Sequence, residues 1–509
     1  MSIPLFLVGF TFVWTLMLIS LTSESFALWF GGISLVIAVV LAFFERARRD
    51  KTVIVALLSV AFACAIFLLK SEFYYKPALN LCDSVAEVKG QVVGFDTKSD
   101  SGADRYIVKV TEGPLKGYKI RLSSKYATCE LCDYVSLKGK IYELNSSLKA
   151  KDLYVGTYTY GDIEITPCDN PTVKDKARLL SYNVRNYLES ELKRYLPKDY
   201  SLTLLGMLVG EKSKLPDEIY ESFQKTGIVH LLAVSGFHTT LWSMIIYRFL
   251  LKRGLGLKVS SIVSILFVLL FMGLTGFSKS TIRAGIMIII FFFGRVVSRQ
   301  PDSKNSLGFS AIIIILLNPF VGGDTGFLLS FFSTLGILVV FPEFQRKVRP
   351  LLKRTIHNFI LRQKIDDIIS VVLVTLSTLC FTLPLIMLLI GDMSVVSPLT
   401  NLLTTTVAST AIFFSGVAVI ISKIPVLCAF ENPLLLISGF IMKYVLYIST
   451  TLSNWSFASI SLENDYIYIT VSAVIILIGF SIIIRASKKR TILLGAMIFI
   501  VSIITHYLV

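Results

Sequence analysis

Charge is scarce in this chain. Asp, Glu, Lys and Arg make up 17% of its 509 residues, where a soluble protein carries about a quarter. Histidine is rarer, with four in the whole sequence. These shortages exclude a soluble globular protein, because 54% of the residues are hydrophobic and mean hydropathy is +0.71. A nucleotide-binding loop of G-x-x-x-x-G-K-[ST] spacing is also missing, so any driving force is expected to be external to the polypeptide. The N-terminus lacks the basic n-region of a removable signal peptide. Its first apolar run, 4–21, is followed closely by another at 26–44, and both read as membrane helices that stay.

What is abundant is apolar sequence in lengths near the roughly 20 residues that cross a bilayer. Runs at 4–21, 26–44 and 53–70 come first. Others fall at 228–250, 258–276, 281–298, 307–321, 325–342, 368–390, 396–422, 433–451, 466–485 and 491–508. The pattern predicts a polytopic α-helical membrane protein of about 13 membrane segments. Residues 201–209 are apolar but too short to span, and suit a re-entrant or core helix. The formal charge of +16 suggests a polyanionic partner, but its location argues for caution. Basic residues cluster in short loops, as at Arg46, Arg48, Arg49 and Lys51, or Arg346, Lys347, Arg349, Lys353 and Arg354. That is the positive-inside pattern of any membrane protein. It places the N-terminus in the cytoplasm and residues 71–200 on the extracytoplasmic side.

Residues 71–170 differ in kind. Apolar positions alternate at 88–95, 106–110, 118–122, 135–142 and 153–158, with turn residues between them, as in strands. About five strands in ~100 residues suggest a small antiparallel β-barrel, OB-like in size. This segment holds Cys82, Cys129, Cys132 and Cys168, which in an oxidising exterior are disulfide candidates. Sequence does not choose among their three connectivities, and half a zinc site at Cys129 and Cys132 is the weaker reading. Residues 172–196 follow helical spacing with a charged opposite face, as an interfacial amphipathic helix does. The expected organisation is N-terminal membrane helices at 1–70, the β-domain at 71–170, the interfacial helix at 171–200 and a membrane core at 201–509.

The membrane core carries polar residues at membrane depth, where they are costly and tend to face a cavity, a partner or a pathway. The stretch His230-Leu231-Leu232-Ala233-Val234-Ser235-Gly236-Phe237-His238 holds two of the four histidines. Its bland reading is close helix packing on small residues. Arg283 lies at an outer helix junction, against the positive-inside trend, and calls for an anionic partner: a passing phosphate, or an acid such as Asp324 or Asp392. Asn318-Pro319 and Gly322-Gly323-Asp324-Thr325-Gly326 interrupt one apolar run just before Ser330, and Ser397-Pro398-Leu399-Thr400-Asn401 interrupts another. Broken helices are tolerated where backbone lines a cavity.

These motifs, in this order, resemble the ComEC-type competence family, in a form lacking the C-terminal metallo-β-lactamase-like domain. No His-x-His-x-Asp-His signature occurs. The resemblance implies a channel, not an enzyme, that imports single-stranded DNA across the bacterial inner membrane in natural transformation. It implies no cofactor or metal. Its partners would be single-stranded DNA, membrane lipid, an outer DNA receptor, and a cytoplasmic motor or single-strand-binding protein. Candidate path residues are His230, Ser235, Gly236, His238, Arg283, Asn318, Asp324, Ser330 and Asn401. On the β-domain, Lys109, Lys119, Arg121, Lys138, Lys140, Tyr106 and Tyr118 would supply basic and stacking contacts. Two rivals remain. Ser235 and His238 are i and i+3 on a helix, so an intramembrane hydrolase is one. A lipid or polysaccharide transporter is the other.

Overall fold

The computed structural model describes residues 5–461 except 44–50, 97–103, 125–128, 160–162, 212–213 and 233–235. The expected segments at 466–485 and 491–508 lie outside the described residues. The chain divides into two compact units, Met1–Asn186 with Ser243–Phe327, and Tyr187–Trp242 with Leu328–Val509.

The first unit begins with α1 (Leu5–Leu21), α2 (Glu24–Phe43) and α3 (Lys51–Lys70). A π-helical turn, Ser71–Tyr75, and the short α4 (Lys76–Leu79) lead into the β-domain. Its strands are β1 (Val85–Asp96), β2 (Asp104–Glu112), β3 (Lys119–Ser124), β4 (Tyr134–Glu143), β5 (Leu153–Thr159) and β6 (Glu164–Thr166), with α5 (Ser146–Lys149) between β4 and β5. The order β1-β2-β3-β5-β4-β6, with β1 also paired to β4, closes the first five strands on themselves. Alternation drives this: Val88, Val92, Val108, Val110, Ile120, Leu122, Val135, Leu137 and Ile141 point inward and are buried, while their neighbours stay outside. β1 is bulged at Lys89/Gly90 and Val92/Gly94, which bends it far enough to pair on both edges. A side chain at Gly90 would meet the Lys109 carbonyl at 2.6 Å. The five expected strands are present and β6 is an addition, but the expected all-antiparallel pairing is corrected: β3 runs parallel to β5, and that pairing closes the sheet.

The same unit contains α10 (Leu257–Leu274), α11 (Lys279–Val296), α12 (Ser303–Leu317) and a 3-10 turn at Pro319–Gly323. The numbers α6 to α9 belong to intervening helices: α6 (Val173–Tyr195), α7 (Lys198–Val209), α8 (Asp217–Lys225) and α9 (Gly236–Lys252). Small residues let backbones touch, as membrane helices commonly do. Gly9 of α1 sits against Gly308 of α12 so closely that a Cβ would meet its carbonyl at 2.3 Å.

In the second unit, α7 is the short apolar segment expected not to span, and every residue from Ser201 to Val209 is buried. The unit continues with α13 (Thr325–Thr355), α14 (Phe359–Leu389), α15 (Ser397–Ile421) and α16 (Glu431–Ser453). α13 and α14 form a long hairpin. Gly336 abuts the Ser377 carbonyl, and Arg349 reaches Asp366 at 3.5 Å. A two-stranded pairing of β7 (Asp392–Ser394) with β8 (Ser459–Ser461) ties the start of α15 to the chain after α16.

Seven described helical stretches are long and apolar enough to cross a membrane: Glu24–Phe43, Thr52–Leu79, Leu257–Leu274, Thr325–Thr355, Phe359–Leu389, Ser397–Ile421 and Cys428–Ser453. Leu5–Leu21 and Ser303–Leu317 are apolar but shorter. The expected runs at 281–298 and 307–321 correspond to Lys279–Val296 and Ser303–Leu317, the latter bounded by caps at Asp302 and Asn318.

Candidate nucleic-acid interface and membrane-depth polar residues

The outer face of the barrel is set by strand register. Tyr142 lies opposite Gly156, which lies opposite Arg121. One step along, Lys140 lies opposite Tyr158, which lies opposite Ser123, itself opposite Arg105. Residues opposite one another share a face, so Arg105, Arg121, Lys140, Tyr142 and Tyr158 form one outward patch. Gly156 is what lets the Tyr142 ring lie down, since a Cβ there would meet its Cζ at 2.5 Å. The Tyr142 and Tyr158 rings stack at 4.4 Å with 17° between their planes. The neighbouring Tyr142 hydroxyl, followed by burial, pushes the Tyr158 hydroxyl above the ordinary tyrosine value. Arg121 is held loosely by Asp96 at 3.9 Å, and its buried Nε makes no hydrogen bond. The patch thus combines an aromatic platform with cationic donors, the two features that bind a single strand irrespective of sequence.

The β-domain residues singled out from sequence divide. Lys109, Lys119 and Lys138 are exposed, and Lys109 faces Lys119 across β2 and β3. Lys140 bridges Asp83 at 2.8 Å. Tyr106 and Tyr118 are corrected. Tyr106 is 4% exposed, packs edge-on against Phe95, and its hydroxyl accepts from the Cys129 amide. Tyr118 is half-buried between Tyr74 and Tyr154. Both serve packing. Their pattern signal was alternation, which does not distinguish the barrel's inside from its outside. The aromatic platform is Tyr142 with Tyr158, which only the register of β4 against β5 singles out.

The four disulfide candidates, Cys82, Cys129, Cys132 and Cys168, carry unbonded thiols in this structure. Cys129 and Cys132 are buried, and burial pushes the Cys129 thiol up to about 11. The Cys132 sulfur lies 3.9 Å from the Asp175 carbonyl.

Among the membrane-depth candidates of the second unit, His230 lies exposed on a 3-10 turn with Nδ1 3.2 Å from the Gly227 carbonyl. Gly227 adopts φ +75° and touches Ser397. Ser397 in turn accepts from the Asn401 amide at 3.1 Å, and Asn401 accepts from Thr405 at 3.2 Å. Gly236 opens α9, and His238 in its first turn is 2% exposed and near enough to His230 for their rings to interact electrostatically. Ser330, half-buried on α13, offers its carbonyl to Ser333 and Thr334. The structure brings His230 close to His238, and Gly227 links the His230 turn to Ser397, the partner of Asn401. Ser235 lies outside the described residues, and with it the serine–histidine pairing of the hydrolase reading.

The candidates of the first unit are held by structural contacts. Arg283 on α11 is 5% exposed, with Nη1 3.8 Å from the Met287 sulfur. Asp324 caps α13, accepting the Phe327 amide at 2.7 Å, and its other oxygen bridges Lys279 at 2.8 Å. Of the two acids expected to face Arg283, Asp324 is thus engaged by Lys279. Asn318 is corrected as a lining residue. It is 5% exposed, its amide donates to the carbonyls of Lys149 and Ala150, and its oxygen accepts from Phe320. No group of three or more potential metal ligands occurs among the described residues.

The competence protein family model matches residues 207–489, more than half the chain. The chain belongs to the ComEC-type competence family. It is similar to ComE operon protein 3 of Bacillus subtilis, 29% identical over 203 residues, which is 40% of this chain and 26% of that protein. It is also similar to an uncharacterized protein of Aquifex aeolicus, 32% identical over 236 residues, 45% of this chain and 51% of the relative. A third relative, from Mycoplasma pneumoniae, is 28% identical over 158 residues, 31% of this chain and 40% of that protein. The chain therefore spans at most about half the length of these relatives. No solved structure matches it.

Proposed function

We propose that this protein is the membrane channel through which single-stranded DNA enters the cytoplasm in natural transformation. The reading rests on family membership, which implies DNA uptake. One observation of its own carries it further: the stacked Tyr142–Tyr158 platform beside Arg105, Arg121 and Lys140. We read the closed five-stranded barrel as an OB-like domain on the extracytoplasmic side, where it would receive the strand. Its placement between membrane helices at 1–70 and a core at 201–509, with an interfacial helix at 171–200, supports delivery to the core. His230, His238 and Asn401 would offer the strand donors and acceptors that let a polyanion pass without trapping it. About 13 membrane segments in the bacterial inner membrane, a channel without catalysis of its own, and a separate receptor and motor complete the reading.

The test is uptake of labelled DNA by a transformable host lacking the native protein. Complementation with wild type should restore cytoplasmic arrival, His238→Ala should reduce it, and Tyr142→Ala with Tyr158→Ala should reduce capture. Undiminished arrival of DNA without the protein refutes the reading.

A further inference from the structure

Glu189 and Glu191 lie two residues apart on α6 and have opposite surroundings. Glu189 accepts from Lys193 and from Lys214, both at 2.7 Å. Burial works against its ionisation, but the hydrogen bonds from the two lysines hold its carboxyl below the usual glutamate range. Glu191 has no such cation. It lies within hydrogen-bonding reach of Glu431, the first residue of α16. Glu431 is 6% exposed. Its Oε1 and the Oε2 of Glu191 are both buried without a hydrogen-bond partner.

The charged groups facing the pair are Arg194 on α6 and Lys423 in the turn after α15. Neither is ion-paired with the two carboxyls among the described residues. The Arg194 guanidinium lies over the Tyr195 ring at 5.5 Å, and the Lys423 ammonium over the Tyr187 ring at 4.0 Å. Both side chains belong to exposed residues.

Two bare carboxylates in contact at a buried helix interface repel each other, and each loses hydration besides. A small cation between them removes both penalties. We propose that Glu191 and Glu431 bind one small cation, a proton or a sodium ion, which fastens the C-terminal half of α6 to the α15–α16 hairpin. With a proton bound, one carboxyl becomes an acid and donates to the other. With sodium bound, the two orphan oxygens are ligands. Loss of the cation sets two anions against each other and loosens α6, whose nearby ties include the Tyr187–Ser422 hydroxyl contact at 2.6 Å, Lys423 over the Tyr187 ring and Leu196 against Gly439. The proposal stands independently of any role with DNA.

The test uses the full-length protein in detergent micelles and dicyclohexylcarbodiimide, which modifies protonated carboxyls, with the modified peptides mapped by mass spectrometry. Glu191 or Glu431 should be labelled and Glu189 spared. Labelling that slows only as pH rises identifies the proton. Labelling suppressed when sodium chloride replaces choline chloride identifies sodium. The Gln variants Glu191→Gln and Glu431→Gln each supply an amide donor to the remaining carboxylate. Their melting temperatures should lose whatever sodium or pH dependence the wild type shows. Labelling of Glu189 equal to that of the pair, or a wild type whose labelling and melting ignore both sodium and pH, overturns the site.

Discussion

The side-chain amide of Asn318, at the C-terminus of α12, donates to the carbonyl of Ala150 in the β-domain at 3.1 Å. The same amide reaches the Lys149 carbonyl at 3.0 Å, and the side-chain oxygen accepts from Phe320 at 3.0 Å. Phe320 then packs edge-on against Tyr75 and Tyr154. One asparagine therefore mounts the barrel on the end of an apolar helix and caps the following turn. Asn318→Ala takes the donor from the Ala150 carbonyl and the acceptor from the Phe320 amide, while the Lys149 carbonyl keeps the Asp152 amide at 3.0 Å, and should cost roughly 2–4 kcal/mol. The expected readout is a lower melting temperature, with proteolysis of the β-domain accelerated before that of the helices. Unchanged protease resistance would show that the mount is carried by the aromatic contacts alone.

Lys279 and Asp324 should contribute unequally. Their bridge is partly buried, at 18% and 22% side-chain exposure. Asp324 also caps α13 through the Phe327 amide. Lys279→Met removes the ion pair alone, whereas Asp324→Ala removes both, with about 1 kcal/mol added for the lost cap. A double-mutant cycle on thermal stability should return that ordering. Equal losses would mean that the cap contributes nothing.

The start of α6 should be sensitive to acid. Thr172 and Asp175 form a reciprocal cap: Asp175 accepts from the Thr172 amide at 3.1 Å and from its hydroxyl at 2.6 Å, while the Asp175 amide donates to Thr172 Oγ1 at 3.3 Å. Burial opposes ionisation of Asp175, but the hydrogen bonds from Thr172, with help from Gln91 and Arg178, hold its carboxyl below the usual aspartate range. A depressed folded value means the contribution is complete above the unfolded range near ~3.9 and is lost as pH falls through the folded value. Acid titration of stability should therefore be flatter in Asp175→Asn than in wild type. Parallel curves would contradict the assignment.

Much of this architecture was readable in the residues, and the failures share a cause. Period-two alternation located β1 to β5, and the 3.6 period over 172–196 located α6, because both signals are local. β6 escaped because it is three residues long and exposed throughout. Asn318 read as a polar group at membrane depth because its partners, Lys149 and Ala150, lie some 168 residues away in sequence. Tyr106 and Tyr118 read like Tyr142 and Tyr158 for a related reason. Which tyrosines face outward and stack depends on the register of β4 against β5, and no neighbour in sequence records it. The connection of the His230 turn to Ser397 and Asn401 runs through Gly227 and needed coordinates.

The same ladder logic chooses among the cysteine connectivities left open by sequence. β4 and β6 pair Tyr134 with Thr166, Val135 with Ile165 and Ser136 with Glu164. Two residues further along, that register sets Cys132 opposite Cys168. Charge on Cys168 is also felt at the Cys132 thiol, which burial, then Asp175, raises above the ordinary cysteine value. Under the oxidising conditions of the proposed extracytoplasmic placement, these two thiols should join. The bond should add about 3–4 kcal/mol by closing the loop between them in the unfolded chain. Peptide mapping without reductant should recover a Cys132–Cys168 cross-link. Recovery of Cys82 or Cys129 in its place would show that the register does not continue past β6.

The stacked tyrosines and the arginine beside them should fail in different ways. A base stacked on an aromatic ring contributes about 1–3 kcal/mol, so Tyr142→Ala or Tyr158→Ala should weaken oligonucleotide binding roughly 5- to 150-fold. Stacking releases no counterions, so the salt dependence of the remaining affinity should be unchanged. Arg121→Gln removes a cation from the same face, and should lower affinity while also flattening the salt dependence by about one contact. Gly156→Val tests the geometry itself: its side chain would occupy the space of the Tyr142 ring, displacing the platform without removing either tyrosine. Fluorescence anisotropy of a labelled single strand on the full-length protein, titrated across salt, separates these outcomes. If all four variants lose affinity with the same change in salt slope, the ring stack takes no part in binding, and the basic residues alone account for contact with the strand.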